Sequence, residues 1–417
     1  MARFSYNRQV LPSGMVVLSE QMPAVKSVSI GVWVKVGSRD EAGDVAGISH
    51  FIEHMLFKGT EQRSAQEIAR AIDAIGGTHD ASTSREGTCF FAKVLGEHLP
   101  LGIDILADTF LHSRLDPKDI EREQQVVLQE IKMVEDTPDD LVHDLFAEAI
   151  WGDHPVARPI LGRKETVCLI TQDDIRRHMG RFYRPDRTVI AAAGDLDHEQ
   201  LVDLVARAFD GFEGRTVHAD PPPPSSSAAV RVEERDTAQL HLCLGMDALP
   251  YAHQDRYALY LLNAMLGGSM SSRLFQEIRE KRGLAYSIYS YQAAYRDCGL
   301  LVIYAGTSPE SSGQVVDLIR AECARMRNQP VDPSDLQQAK DQLKGNLLLG
   351  LEGTSSRMTR LAKSEIYFDR TYDLDEIIAG IDAVSTDQFE SLTRRLLRDE
   401  SFAIISIGPV PQAALLS

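Results

Sequence analysis

A chain of 417 residues with 43% hydrophobic content is not a disordered polymer, and it is too long for one core of ordinary size, so two or more domains are expected. The formal net charge of −17 at pH 7 argues against a general nucleic-acid binder, which needs a basic face. No stretch reaches the ~20 consecutive apolar residues of a membrane span, and the five cysteines, Cys89, Cys168, Cys243, Cys298 and Cys323, form no C-x-x-C pair.

The odd cysteine count speaks against a disulfide framework and for a reducing, cytoplasmic setting. The first nineteen residues hold two arginines and no acid, but Val16-Val17-Leu18 already reads as strand, so this end is expected to be part of the fold. Residues 25–36 (VKSVSIGVWVKV) alternate like a half-buried strand. An amphipathic helix follows, led in by Gly47-Ile48-Ser49, continued by Met55-Leu56-Phe57 and ended by Gly59-Thr60. Ser64-x-x-Glu67 is a capping-box pattern ahead of a helix over 65–75. Residues 89–95 read as strand, 99–110 as helix and 120–134 (IEREQQVVLQEIKMV) as a long helix. Asp136-Thr137-Pro138 interrupts it, and a new helix is expected from residue 139.

The run Asp220-Pro221-Pro222-Pro223-Pro224-Ser225-Ser226-Ser227 favours extended backbone and cannot build a core. It divides the chain into a domain over 1–218, a linker over 219–229 and a second domain over 230–417. The second half repeats the first in outline: strand 239–246, helix 254–266, strand 299–306 and a helix over 309–327 with proline at its start. Two copies of one α/β unit are expected. Gly267-Gly268-Ser269 lacks the Lys-Ser/Thr ending of a phosphate loop and reads as a turn.

The chemistry is concentrated in His50-Phe51-Ile52-Glu53-His54. Histidines four apart share a helix face and can reach one ion, and Glu53 lies on that face without having to be a ligand. A metal ion, a water and a carboxylate base can then meet at one point, which suits hydrolysis of a peptide bond. The bland alternative is one buried histidine beside a surface Glu–His pair. A catalytic zinc takes three protein ligands, so the third must come from elsewhere. Glu123 and Glu130, seven apart on the 120–134 helix, share one of its faces. Most helix glutamates are simply solvated.

With these motifs the chain resembles the insulinase (M16) metallopeptidases, in particular the short subfamily of mitochondrial processing peptidase β-subunits and their bacterial relatives. The family pattern places a glutamate ligand 76 positions after the second histidine, which is Glu130, and a further glutamate seven positions earlier, which is Glu123. The likeness extends over nearly the whole chain, including Thr83-Ser84-Arg85-Glu86 and residues 273–286 (RLFQEIREKRGLAY). It implies His50, His54 and Glu130 as ligands of one zinc ion per chain, Glu53 as general base, and Glu123 as a group supporting the site. Arg279 and Tyr286 match an arginine–tyrosine pair directed at substrate carbonyls. The edge strand that pairs with substrate backbone falls on Asp80, Ala81 and Ser82, where Asp80 departs from the usual asparagine. Asp140 and Asp144 stand ten and fourteen positions beyond Glu130, matching acids that receive an arginine before the cleavage site. As plain helix residues these two are favourable acids of a first turn. Phe57 matches a position lining a pocket for the apolar residue after the cut; otherwise it is core packing.

The expected fold is α+β, with two structurally similar α/β domains forming a clamshell around a peptide-binding chamber. The expected activity is zinc-dependent endopeptidase action on short or unfolded peptides bound as an extended strand, with basic residues preferred before the scissile bond. A homodimer without nucleic-acid or membrane partners is expected. The competing reading is a non-catalytic scaffold or a subunit of a hetero-oligomeric peptidase; such subunits lose a ligand or the base, and all four positions are intact here.

Overall fold

Continuous apolar runs become the central strands of two sheets in the computed structural model, which describes residues 6–216 and 221–409. In chain order the strands are β1 (Tyr6–Val10), β2 (Val16–Gln21), β3 (Ser27–Val34), β4 (Thr78–Thr83), β5 (Thr88–Leu95) and β6 (Thr188–Gly194). They continue as β7 (Val230–Glu234), β8 (Leu240–Asp247), β9 (Ala285–Ala294), β10 (Gly299–Thr307) and β11 (Ala403–Gly408). The first sheet has the order β1-β2-β6-β3-β5-β4 and the second β7-β11-β8-β10-β9.

The repeat expected from sequence is present in the topology. In both sheets the strand after the long connection runs parallel to one neighbour (β2·β6, β7·β11) and antiparallel to the other. In both, an antiparallel hairpin (β4·β5, β9·β10) completes the other side and leaves its first strand at the edge. Strands β6, β10 and β11 are buried along their entire length, as befits strands covered on both faces. Edge strand β4 instead alternates between exposed and half-buried residues.

The two compact units are not the two continuous halves that the proline run suggests. The first comprises Met1–Lys132, Arg158–Pro221 and Leu349–Asp373; the second comprises Met133–Ala157, Pro222–Leu348 and Leu374–Ser417. Each sequence half thus lends the other one helix. In the first unit Ile190 and Ala192 face the main core, whereas Val189, Ala191 and Ala193 face Met358, Leu361 and Ala362 of the helix Thr354–Phe368. In the second, Cys243, Val302 and Ile405 pack on Val142, Phe146 and Ile150 of the helix Pro138–Trp151. A linear division cuts both units, because a strand buried on two faces needs its second cover wherever in the chain that cover lies. The expected domain limits at residues 1, 218, 219 and 417 lie outside the described residues.

Most expected elements are found close to their predicted places. The Ser64–Glu67 capping box forms as anticipated, with the Glu67 carboxylate accepting the Ser64 N–H at 2.8 Å. The long helix runs Pro117–Glu135 and the next begins at Pro138. Among the described residues no helix is long and apolar enough to cross a membrane.

Candidate metal centre

The motif helix, Ile48–Leu56, starts at Gly47, whose φ of +96° suits glycine, and where a Cβ would meet the Leu161 carbonyl oxygen at 2.7 Å. Its free N-terminal amides are capped by a buried carboxylate from outside the helix. Glu41 accepts from Gly47 N–H at 2.6 Å and from Ser49 N–H at 2.8 Å. Ile48, Phe51, Ile52, Met55 and Leu56 are buried in the core of the first unit, which turns His50, Glu53 and His54 to the other side.

Glu130, on Pro117–Glu135, meets them there. Its Oε2 lies 3.7 Å from His50 Nε2 and 3.5 Å from His54 Nε2. One ligand atom from each residue lies within 4.8 Å of the other two, and this is the one such group among the described residues. Donors about 2.1 Å from a tetrahedral zinc stand about 3.4 Å apart, so the set fits with small adjustments. The His50 side chain is 12% exposed, and its Nδ1 is buried without a hydrogen-bond partner. Burial, helped by the neighbouring His54, lowers the pKa of His50 to about 4, so its ring is neutral at pH 7 and its lone pair is free for a metal.

Behind His54 stands Glu123, buried as sequence reasoning does not anticipate for a helix glutamate. Its Oε2 is 3.1 Å from His54 Nδ1 and its Oε1 is 2.5 Å from the Lys58 ammonium. A carboxylate can only accept, so Nδ1 carries the hydrogen, which leaves Nε2, 3.5 Å from Glu130 Oε2, as the nitrogen that would face a metal.

Glu53 is close enough to His54 and Glu130 for their charges to act on it. Burial raises its pKa, opposed by a hydrogen bond that Thr83 Oγ1 donates to Glu53 Oε2. Thr83 ends β4, whose inward residues His79, Ala81 and Thr83 are half-buried while Asp80 and Ser82 are exposed. Strand β4 lies at the sheet edge, where the resemblance expects substrate backbone to pair. The Asp80 carboxylate is engaged locally, accepting the Ala81 N–H at 2.8 Å. Phe57 follows the motif helix, half-buried, its ring 5.2 Å from that of His79 and 6.5 Å from that of Phe90.

The remaining expected residues belong to the second unit. Arg279 lies in a π-helical segment, Phe275–Glu280, and Tyr286 is the second residue of β9. The fold brings the two together: the guanidinium carbon is 5.4 Å from the Tyr286 ring centre, and the tyrosine is 77% exposed. Asp140 is exposed in the first turn of Pro138–Trp151 and Asp144 lies one turn on, half-buried. The turn's N-cap, Thr137, makes no side-chain capping bond.

Three residues near the centre escape sequence reasoning. Lys58 could have been found, because it stands four positions after His54 and so extends the same face. The engagement of Glu53 by Thr83 and the capping by Glu41 depend on tertiary placement and leave no local signal.

Comparison with known proteins bears on the family and the fold. Residues 16–164 match the family model described as Insulinase (Peptidase family M16), and residues 169–343 match that described as Peptidase M16 inactive domain. An uncharacterized zinc protease of Bacillus subtilis (strain 168) is 42% identical over 402 residues, covering 96% of this chain and 98% of that protein. An uncharacterized zinc protease of Streptomyces coelicolor is also 42% identical, over 97% of this chain and 89% of that one. In fold the chain is similar to the crystal structure of a protease from Helicobacter pylori, with a TM-score of 0.91 at 22% identity over 98% of this chain and 100% of that one.

Proposed function

The chain belongs to the insulinase family M16, and from that premise we propose that it is a zinc-dependent endopeptidase acting on short or unfolded peptides. The observation that carries the proposal is the convergence of His50, His54 and Glu130 within 4.8 Å, with Glu53 beside them and Glu123 behind His54. This is a donor set for one zinc ion, neutral nitrogens and a carboxylate, held by a carboxylate–histidine pair. When bound, the ion supplies Lewis-acid polarisation of the scissile carbonyl and lowers the pKa of a water.

The chain's own residues account for the rest. An extended peptide adds to the open edge of β4 through backbone hydrogen bonds, which leaves sequence preference to the flanking side chains. Glu53, beside the ligands, takes the proton of the attacking water and returns it to the leaving amine. Burial favours that role, since a raised pKa makes the carboxylate a better proton acceptor. Arg279 and Tyr286 hold substrate carbonyls, and Asp140 and Asp144 receive an arginine before the scissile bond. Phe57 contributes to the pocket for the apolar residue after it. We include in the proposal a homodimer and a cytoplasmic location; the five cysteines form no disulfide among the described residues, and four of them are buried.

The test is Glu53→Gln. The amide keeps the side chain's size but cannot take the proton, so peptide cleavage should vanish while bound zinc, measured by elemental analysis, stays near wild type. His50→Ala, His54→Ala and Glu130→Ala should lose zinc and activity together. Wild-type cleavage by Glu53→Gln, or by enzyme stripped with chelator, would refute the assignment.

A further inference from the structure

Two side-chain contacts tie β4 to the motif helix and to Phe57 just after it, and one of them involves a reacting group. His79 packs its ring against Phe57, and four residues further along the strand Thr83 donates its hydroxyl hydrogen to Glu53 Oε2. The alternation of β4 makes this contact: residues 79, 81 and 83 face inward, so a hydroxyl at 83 is delivered to the helix. Thr83 is also the last residue of β4 and pairs with Thr88 of β5. The turn after it is closed by Ser84, whose N–H donates to the Gly87 carbonyl at 2.8 Å. That turn is fixed in turn by a buried ion pair, Arg39 Nη1 to Glu86 Oε1 at 2.8 Å, and by Arg39 N–H donating to Arg85 O at 2.9 Å. The hydroxyl is therefore mounted on a rigid end of the strand.

We propose that Thr83 is a positioning residue for the reaction: it holds one carboxylate oxygen of Glu53, leaves the other to face the attacking water, and ties the base to the strand on which the peptide lies. This deepens the peptidase reading and rests on it. A carboxylate on a free side chain rotates among rotamers, and general-base efficiency needs the accepting oxygen within hydrogen-bond reach of its proton. One donated hydrogen bond removes that rotation. Because the donor belongs to the strand that pairs with substrate backbone, the base and the scissile bond are referred to the same element. A sub-ångström error in where the peptide lies is then shared by the base rather than opened between them. The Thr83 hydroxyl is directed to Glu53, and its side chain is turned inward from the open edge. Its effect should fall on turnover rather than on substrate or zinc binding.

The experiment compares wild type, Thr83→Val and Thr83→Ser, each loaded with zinc. Valine keeps the shape and β propensity of threonine without the hydroxyl; serine keeps the hydroxyl without the methyl. For a quenched fluorescent peptide, kcat of Thr83→Val should fall about 10- to 100-fold with KM within about twofold. Thr83→Ser should recover most of the loss. Zinc content should equal wild type in both variants. In a Glu53→Gln background, which binds peptide without cleaving it, adding Thr83→Val should leave peptide affinity unchanged. Unaltered kcat in Thr83→Val, a change confined to KM, loss of zinc, or equal impairment in the serine variant would each overturn the proposal while leaving the peptidase reading intact. A zinc-loaded wild type that cleaves no peptide would instead overturn the peptidase reading, and this inference with it.

Discussion

Glu123 Oε2 lies 3.1 Å from Nδ1 of His54, and the other oxygen of the same carboxylate is 2.5 Å from the Lys58 ammonium. The buried carboxylate is thus compensated on one side by a cation and used on the other to set a histidine's tautomer. Glu123→Gln keeps the size but turns a pure acceptor into a group that can also donate. It should weaken zinc binding about 10- to 100-fold, read by competition with a fluorescent chelator. Lys58→Met should act in the same direction and more mildly, since the ammonium is part-exposed. Unchanged zinc affinity in Glu123→Gln would show that the carboxylate only fills space.

Arg279 and Tyr286 are neighbours through a cation–π contact in the unit that does not contain His50, His54 and Glu130. Arg279→Ala and Tyr286→Phe should each lower kcat/KM about 10- to 100-fold with zinc content unchanged. Full activity in both would remove the pair from the mechanism.

Asp140 is exposed and Asp144 half-buried on consecutive turns of one helix. Cleavage-site profiling on a peptide library should show arginine two residues before the scissile bond and a bulky apolar residue after it. The arginine bias should weaken in Asp140→Asn plus Asp144→Asn, and in high salt, where exposed charges are screened. Because Asp140 is exposed, where solvent screens its charge, the bias should be modest. A profile that does not respond to the double substitution would leave the acids as first-turn residues only.

The exchange of helices makes a stability prediction. Leu361, wholly buried against β6, is separated in sequence from the strands it covers, yet Leu361→Ala should cost about 2–5 kcal/mol in the first unit, read by denaturant unfolding. Separately expressed halves cut at the proline run should be poorly folded alone and should recover structure when mixed. A cooperative, native-like melt of either half by itself would contradict this.

The metal motif was legible because helical spacing puts His50, Glu53 and His54 on one face whatever surrounds them. Glu130 could be placed only by resemblance: a residue 76 positions beyond His54 has no periodic signature. The strands and helices were legible from alternation and capping, as at Ser64–Glu67. Their assignment to units was not. Apolar residues on Thr354–Phe368 announce that the helix is covered, but not by which sheet. Thr83 falls in a run that carries the resemblance, but its bond to Glu53 shows only once β4 is placed beside the motif helix.

The loan of Thr354–Phe368 to the first sheet also sets a clock on synthesis. Strand β6 ends at Gly194, and the helix that covers its Val189, Ala191 and Ala193 ends at Phe368, 174 residues later. At about 5–20 residues per second, roughly 9–35 s pass on the ribosome before that apolar face can be closed by its own chain. The nascent first sheet must spend that interval half-dressed, open to chaperones or to aggregation.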